Sequence, residues 1–80
     1  MTSELILLVD DEPSITDLAR LYLERDGYRI HAEADGESAL EAAAKQKPDL
    51  IVLDVMLPKL DGFDVCRRLR SAGDQVPIIM

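Results

Sequence analysis

Residues 50–62, LIVLDVMLPKLDG, place a carboxylate, Asp54, directly after four apolar residues and follow it with a second apolar run, a proline and an Asp-Gly pair. An unbroken apolar run of this length, bounded by turn-forming residues, reads as a strand covered on both faces. Asp54 then stands at the tip of a buried strand, a position that demands a chemical reason.

The same pattern occurs earlier. Leu5 to Val9 is a second unbroken apolar run, and it ends in Asp10, Asp11 and Glu12. Tyr28 to Glu33 differs: Tyr28, Ile30 and Ala32 alternate with Arg29, His31 and Glu33, as expected of an edge strand with one polar face. Pro13 suits the first turn of a helix, with Ile15, Leu18, Ala19 and Tyr22 at inward spacing until Gly27. A second helix is expected from about Glu37 to Gln46, with Ala39, Leu40 and Ala43 inward and Pro48 closing the connection. A third takes Phe63, Cys66 and Leu69 inward and stops near Gly73, and Val76 to Met80 reads as the start of a fourth strand. Alternation of strand and helix predicts an α/β fold, a parallel sheet with helices on both faces and right-handed crossovers. If the alternating strand is the edge, the order is 2-1-3-4, with strands 1 and 3 neighbours across a topological switch point; periodicity alone supports only a parallel α/β sheet.

Ligands of open α/β sheets bind beyond the carboxyl ends of the strands at such a point, where Asp10, Asp11, Glu12 and Asp54 are expected to converge. Acids brought together repel unless a cation neutralises them. Oxygen ligands favour Mg²⁺, with Mn²⁺ as the alternative; the calcium-loop pattern and the Cys and His ligands of zinc are missing. A carboxylate beside Mg²⁺ can attack a phosphoryl group and form an acyl phosphate, which is a nucleophile's position for Asp54.

Composition sets outer bounds. Eighty residues make one domain at most, and at this size roughly 60 to 65 % of the unfolded surface is buried. With 48 % apolar and 31 % charged residues, the chain is an ordinary globular one, and its apolar runs are too short to span a bilayer. Sixteen acids against nine bases, a net charge of -7, argue against direct binding of nucleic acid. No signal peptide is read at the N-terminus, and a lone cysteine, Cys66, fits a reducing compartment, so the expected location is cytoplasmic.

Val9-Asp10-Asp11-Glu12-Pro13, then Leu53-Asp54-Val55-Met56-Leu57-Pro58 and Asp61-Gly62, resembles the receiver domain of bacterial two-component response regulators, over all 80 residues. The DVMLPKLDG variant looks most like regulators that carry a C-terminal winged-helix DNA-binding domain. The resemblance implies Asp54 as phosphoacceptor, receiving its phosphoryl group from the phosphohistidine of a sensor histidine kinase. It also implies Mg²⁺ held by Asp11, Asp54 and the Met56 backbone carbonyl, with Asp10 acting mostly through a metal-bound water. Pro58 and Gly62 are expected to shape the loop that presents Asp54. The implied fold is the flavodoxin-like order 2-1-3-4-5, in which strand 5 and helices 4 and 5 lie beyond Met80, as do the hydroxyl switch residue and an essential lysine.

Residues 1–80 are thus expected to be the N-terminal part of one receiver, a signalling module rather than an enzyme, with phosphoryl transfer impaired. Helix 1 alone would cover one sheet face, so an apolar patch and an open strand edge are expected, and with them a homo-oligomer formed through strand 4 and the uncovered faces. The competing description is a half-domain whose role is structural, folding by self-association. A Mg²⁺-dependent phosphatase with an aspartate nucleophile shares only the use of acids at strand ends. Plainer readings also stand beside the site: Asp10 and Asp11 as helix caps, Asp61-Gly62 as a turn and helix start, and Cys66 as a small core residue. His31 is assigned no role, and Arg67, Arg68 and Arg70 are read as a solvated face.

Overall fold

The computed structural model describes residues 3–80. Its elements, in chain order, are β1 (Leu5–Val9), α1 (Pro13–Arg25), β2 (Arg29–Glu33), α2 (Gly36–Gln46), β3 (Leu50–Leu53), α3 (Gly62–Ser71) and β4 (Ile78–Ile79). All pairings are parallel, and the order is β2-β1-β3-β4, as expected.

Every residue of β1 is buried, because this strand has neighbours on both edges and helices over both faces. In its register Leu7 lies between His31 and Ile51, and Val9 between Glu33 and Leu53. Leu7, Val9, Ile51 and Leu53 point to one face, where they meet Ala39, Ala42 and Ala43 of α2 and Val65 and Leu69 of α3. The alanines let α2 approach closely, and the large aliphatics opposite fill the layer. The carboxylate of Asp49 accepts a hydrogen bond from Leu5 N at 2.8 Å while Asp49 N donates to Leu5 O at 2.8 Å, which fixes the start of β3 beside β1.

Two helical phases and one helix start differ from expectation. In α1, Ile15, Leu18 and Tyr22 are more than half exposed, and the half-buried stripe is Thr16, Ala19, Arg20 and Leu23. The helix packs against β2 on the second sheet face, which turns Ile15 towards a groove over β3 instead of into the core. In α3 the buried positions are Gly62, Val65 and Leu69, whereas Phe63 is exposed and Cys66 is only half-buried. The cause is Gly62, whose backbone is pinned against Asp54 and Val55 just past the end of β3; with residue 62 packed there, residue 63 is rotated about 100° away. In α2 the helix begins one residue earlier than expected, at Gly36, because the Asp35 carboxylate caps it by accepting from Ser38 N at 2.8 Å.

β2 is the edge strand, but its polar side is half-covered: His31 Nε2 lies 2.5 Å from Glu33 Oε2, and Gln46 Nε2 lies 3.3 Å from His31 Nδ1. β4 is two residues long rather than five; Val76 is buried, while Ile79 and Met80 are half-exposed. Of the three arginines on α3, Arg67 pairs with Asp64, and Arg70 Nη1 donates to Asp74 O at 3.0 Å and Val76 O at 2.8 Å, holding the turn into β4. Among the described residues, no helix is long and apolar enough to cross a membrane.

Candidate functional site

The parallel ladder runs one step past the strand ends. Asp10 N donates to Glu33 O at 3.1 Å and Asp54 N donates to Val9 O at 2.9 Å, so the backbones of Asp10 and Asp54 are held side by side at the C-terminal edge of β1 and β3. Asp10, Asp11 and Asp54 each present a carboxylate oxygen within 4.8 Å of the others. Asp10 and Asp54 are half-buried and Asp11 is exposed.

Glu12, the fourth acid expected here, is exposed and outside this group; it sits at the N-cap of α1 without a side-chain cap. Asp10 Oδ1 accepts from Glu12 N at 2.9 Å and none of these acids caps the helix by its side chain, so helix capping does not explain the convergence. Asp54 Oδ1 accepts a long hydrogen bond, 3.4 Å, from Met56 N. Among the described residues the ion pairs are His31–Glu33, Lys59–Asp35 and Arg67–Asp64, and none reaches the three aspartates. Three like charges thus share one small volume with no protein cation to offset them.

That donor set fits a small hard cation. Mg²⁺ takes oxygens at about 2.0–2.1 Å, which puts ligand oxygens roughly 3 to 4 Å apart, so carboxylates no more than 4.8 Å apart need little closing. The site also opens onto an apolar groove lined by Leu8, Ile15, Ala19 and Val52, with Asp10 and Asp54 at its rim.

The segment after Asp54 is closed on itself by Gly62, whose N–H donates to Val55 O at 2.8 Å. A Cβ on Gly62 would lie 2.5 Å from Asp54 O and 2.9 Å from Val55 Cα, so only glycine permits this approach. Asp61 Oδ1 accepts from Asp64 N at 2.9 Å, capping α3. Pro58 O accepts from Leu60 N at 2.9 Å, and the following residue, Lys59, adopts a left-handed conformation (φ 71°). Met56 is 81 % exposed, and its contact with Asp54 is made by its backbone N–H.

A second contact on this loop was not anticipated. Gly36 N donates to Pro58 O at 3.5 Å, and Lys59 Nζ lies 3.8 Å from Asp35 Oδ2. Hydrogen bonds from the Ser38 backbone, and to a lesser degree from its hydroxyl, hold the Asp35 carboxyl below its usual range, with Lys59 adding to the effect.

The response regulator receiver domain family matches residues 6–80. The chain belongs to this family. Among its relatives, the alkaline phosphatase synthesis transcriptional regulatory protein PhoP of Bacillus subtilis (strain 168) is 57 % identical over 75 residues, covering 94 % of this chain and 31 % of that protein. The N-terminal domain of a response regulator receiver protein from Methanoculleus marisnigri JR1 superposes with a TM-score of 0.90 at 38 % identity, over 96 % of this chain and 64 % of that one. The receiver domain of sensor histidine kinase PA1611 from Pseudomonas aeruginosa PAO1, solved with a magnesium ion coordinated in its active site cleft, gives a TM-score of 0.89 at 38 % identity, over 96 % and 65 %. The chain therefore spans about a third of the length of the curated relatives it matches, and about two thirds of the solved receivers. Receiver domains are signalling modules that bind Mg²⁺ at an acidic site and interact with sensor histidine kinases, and the fold described above is the flavodoxin-like fold of this family.

Proposed function

We propose that Asp54 is the phosphoacceptor of this receiver domain and that its phosphoryl group comes from the phosphohistidine of a sensor histidine kinase. The observation that carries this reading is the convergence of Asp10, Asp11 and Asp54 within 4.8 Å at the switch point of the sheet. Asp11, Asp54 and the Met56 carbonyl would hold Mg²⁺ or Mn²⁺, with Asp10 acting through a bound water. When bound, the metal offsets negative charge on the transferring oxygens. Asp54 supplies the nucleophile: a carboxylate oxygen bonds to phosphorus as the P–N bond of the phosphohistidine breaks, and the imidazole nitrogen keeps the electron pair and takes up a proton. Asp10 and Asp11 present their carboxylate oxygens beside the acceptor, while Pro58 and Gly62 hold the loop that presents it. We read residues 1–80 as the N-terminal part of a single receiver, and likeness to PhoP supports a transcriptional output for the parent protein.

Mass spectrometry after incubation with Mg²⁺ and phosphoramidate, a small donor with the same P–N bond, tests the assignment. One hydroxylamine-labile phosphoryl adduct is expected on Asp54 and none on Asp54→Asn. An adduct that persists in the variant, or that forms equally without Mg²⁺, would contradict it.

A second reading, compatible with the first, is self-association. It is favoured by the row of Ile15, Leu18, Leu21 and Tyr22 on α1, each more than half exposed, and by Ile79 and Met80 at the β4 end of the sheet. Light scattering should give a molar mass above that of one chain at micromolar concentration, falling towards one chain in Leu18→Lys; a monomeric wild type sinks this reading.

A further inference from the structure

The N-terminus of α2 touches the loop that follows Asp54 at residues 58–60. Gly36 is buried, and a Cβ there would lie 2.3 Å from Leu60 O, 2.6 Å from Leu60 Cβ and 2.9 Å from Leu60 C. Two of these three atoms are backbone, so a side chain on Gly36 cannot be accommodated by rotating a neighbour; the loop itself must shift. The Gly36 N–H reaches Pro58 O in the same place, and Asp35 faces Lys59, so residues 58, 59 and 60 are all engaged by residues 35 and 36.

This contact differs in kind from the closure at Gly62. Gly62 binds Val55 and joins the two ends of the loop to each other. The contact with Gly36 instead ties the middle of the loop to another element of the fold. That element is rigid: Ala39, Ala42 and Ala43 of α2 are buried against the sheet, and the Asp35 side chain is held by both the backbone and the hydroxyl of Ser38. Leu57 and Leu60 pack against the same core on either side of the contact. Met56 stands two residues before Pro58, so the position of this strut is passed along a very short stretch of chain to the backbone beside Asp54.

We infer that Asp35 and Gly36 are positioning residues: the start of α2 props the loop at 58–60 and thereby sets where the Met56 backbone carbonyl stands relative to Asp11 and Asp54. This inference rests on the proposed metal site. Residues that orient ligands without touching the ion commonly change affinity by about 10–100-fold when altered, because sub-ångström displacement of a ligand is enough to spoil an octahedral site.

Titration of Mn²⁺ into the 80-residue chain, followed by the paramagnetic resonance signal of free Mn²⁺, tests it. Gly36→Ala is expected to weaken uptake by about tenfold per folded molecule. Ala44→Gly, which lowers helix propensity at an exposed position of α2 without touching its packed face, should leave the affinity of the folded fraction within twofold of wild type. Where Gly36→Ala is too unstable to titrate, Lys59→Ala breaks the Asp35 contact from the loop side and is expected to weaken uptake about threefold, although removal of a positive charge by itself favours cation uptake. Wild-type affinity in a folded Gly36→Ala or Lys59→Ala overturns the strut, as does an equal loss in Ala44→Gly. Failure of the wild type to take up Mn²⁺ overturns the metal site itself and the strut with it, an outcome recognisable because it precedes any comparison of variants.

Discussion

Gly62→Ala is expected to destabilise the chain by about 1–3 kcal/mol, the usual penalty for forcing extra volume into a packed site. The added methyl meets Asp54 O at 2.5 Å and Val55 Cα at 2.9 Å, and both are main-chain atoms of the segment that carries the acceptor. Alanine's better helix propensity offsets at most about 1 kcal/mol, and less at the first position of a helix. An 80-residue chain has roughly 4–12 kcal/mol of stability in total, so the loss should be plain as a lower urea midpoint at unchanged slope. Because the clash displaces Asp54 and Val55, metal uptake by the folded fraction should fall by about tenfold as well. Gly73→Ala is the matched control. Gly73 has a left-handed backbone (φ 83°) with open space around it, so alanine there costs about 1–2 kcal/mol of backbone strain while leaving the site alone. Loss of stability in both variants, with loss of metal uptake only in Gly62→Ala, is the expected pattern; equal uptake in the two would contradict it.

Asp54→Asn should have two effects of opposite sign. Without metal, two unit charges 4.8 Å apart repel by about 0.9 kcal/mol at the dielectric of water and about 3.5 kcal/mol at an effective dielectric of 20. Asp54 has two such neighbours, and the half-exposed setting puts each interaction near the lower figure. Asparagine keeps a side-chain oxygen for Met56 N and removes the charge. The metal-free variant is therefore expected to be about 1 kcal/mol more stable than wild type at low ionic strength, with the advantage shrinking as salt shortens the screening length. With Mg²⁺ the order reverses. A cation held only by the folded chain stabilises it by about 2.7 kcal/mol at a hundred times its dissociation constant, and removing one of the anionic ligands forfeits most of that gain.

The central strands were legible because Leu5–Val9 and Leu50–Leu53 are continuous apolar runs that end in acids, and the polar alternation of β2 marked the edge. The convergence of Asp10, Asp11 and Asp54 follows from the strand order 2-1-3-4, which rests on the family resemblance as well as on the alternating edge strand, and Glu12, expected with them, lies outside the group. Helical phase was less legible. Ile15, Leu18 and Tyr22 carry the stronger apolar signal of α1, yet Thr16, Ala19, Arg20 and Leu23 face the sheet, since periodicity reports an apolar stripe without saying which neighbour it meets. Phe63 misled for a local reason: the close approach of Gly62 to Asp54 and Val55 sets the rotation of α3, and a glycine contributes nothing to hydrophobic periodicity. The contact of Asp35 and Gly36 with residues 58–60 joins segments more than twenty positions apart, which no local pattern encodes.

Unfolding of wild type and Asp54→Asn by urea at low salt, with and without saturating Mg²⁺, tests most directly whether these three aspartates form a cation site. A crossing of the two stabilities is predicted, the variant being the more stable without Mg²⁺ and the wild type with it. Parallel responses of the two proteins to Mg²⁺ would contradict the assignment of Asp54 to that site.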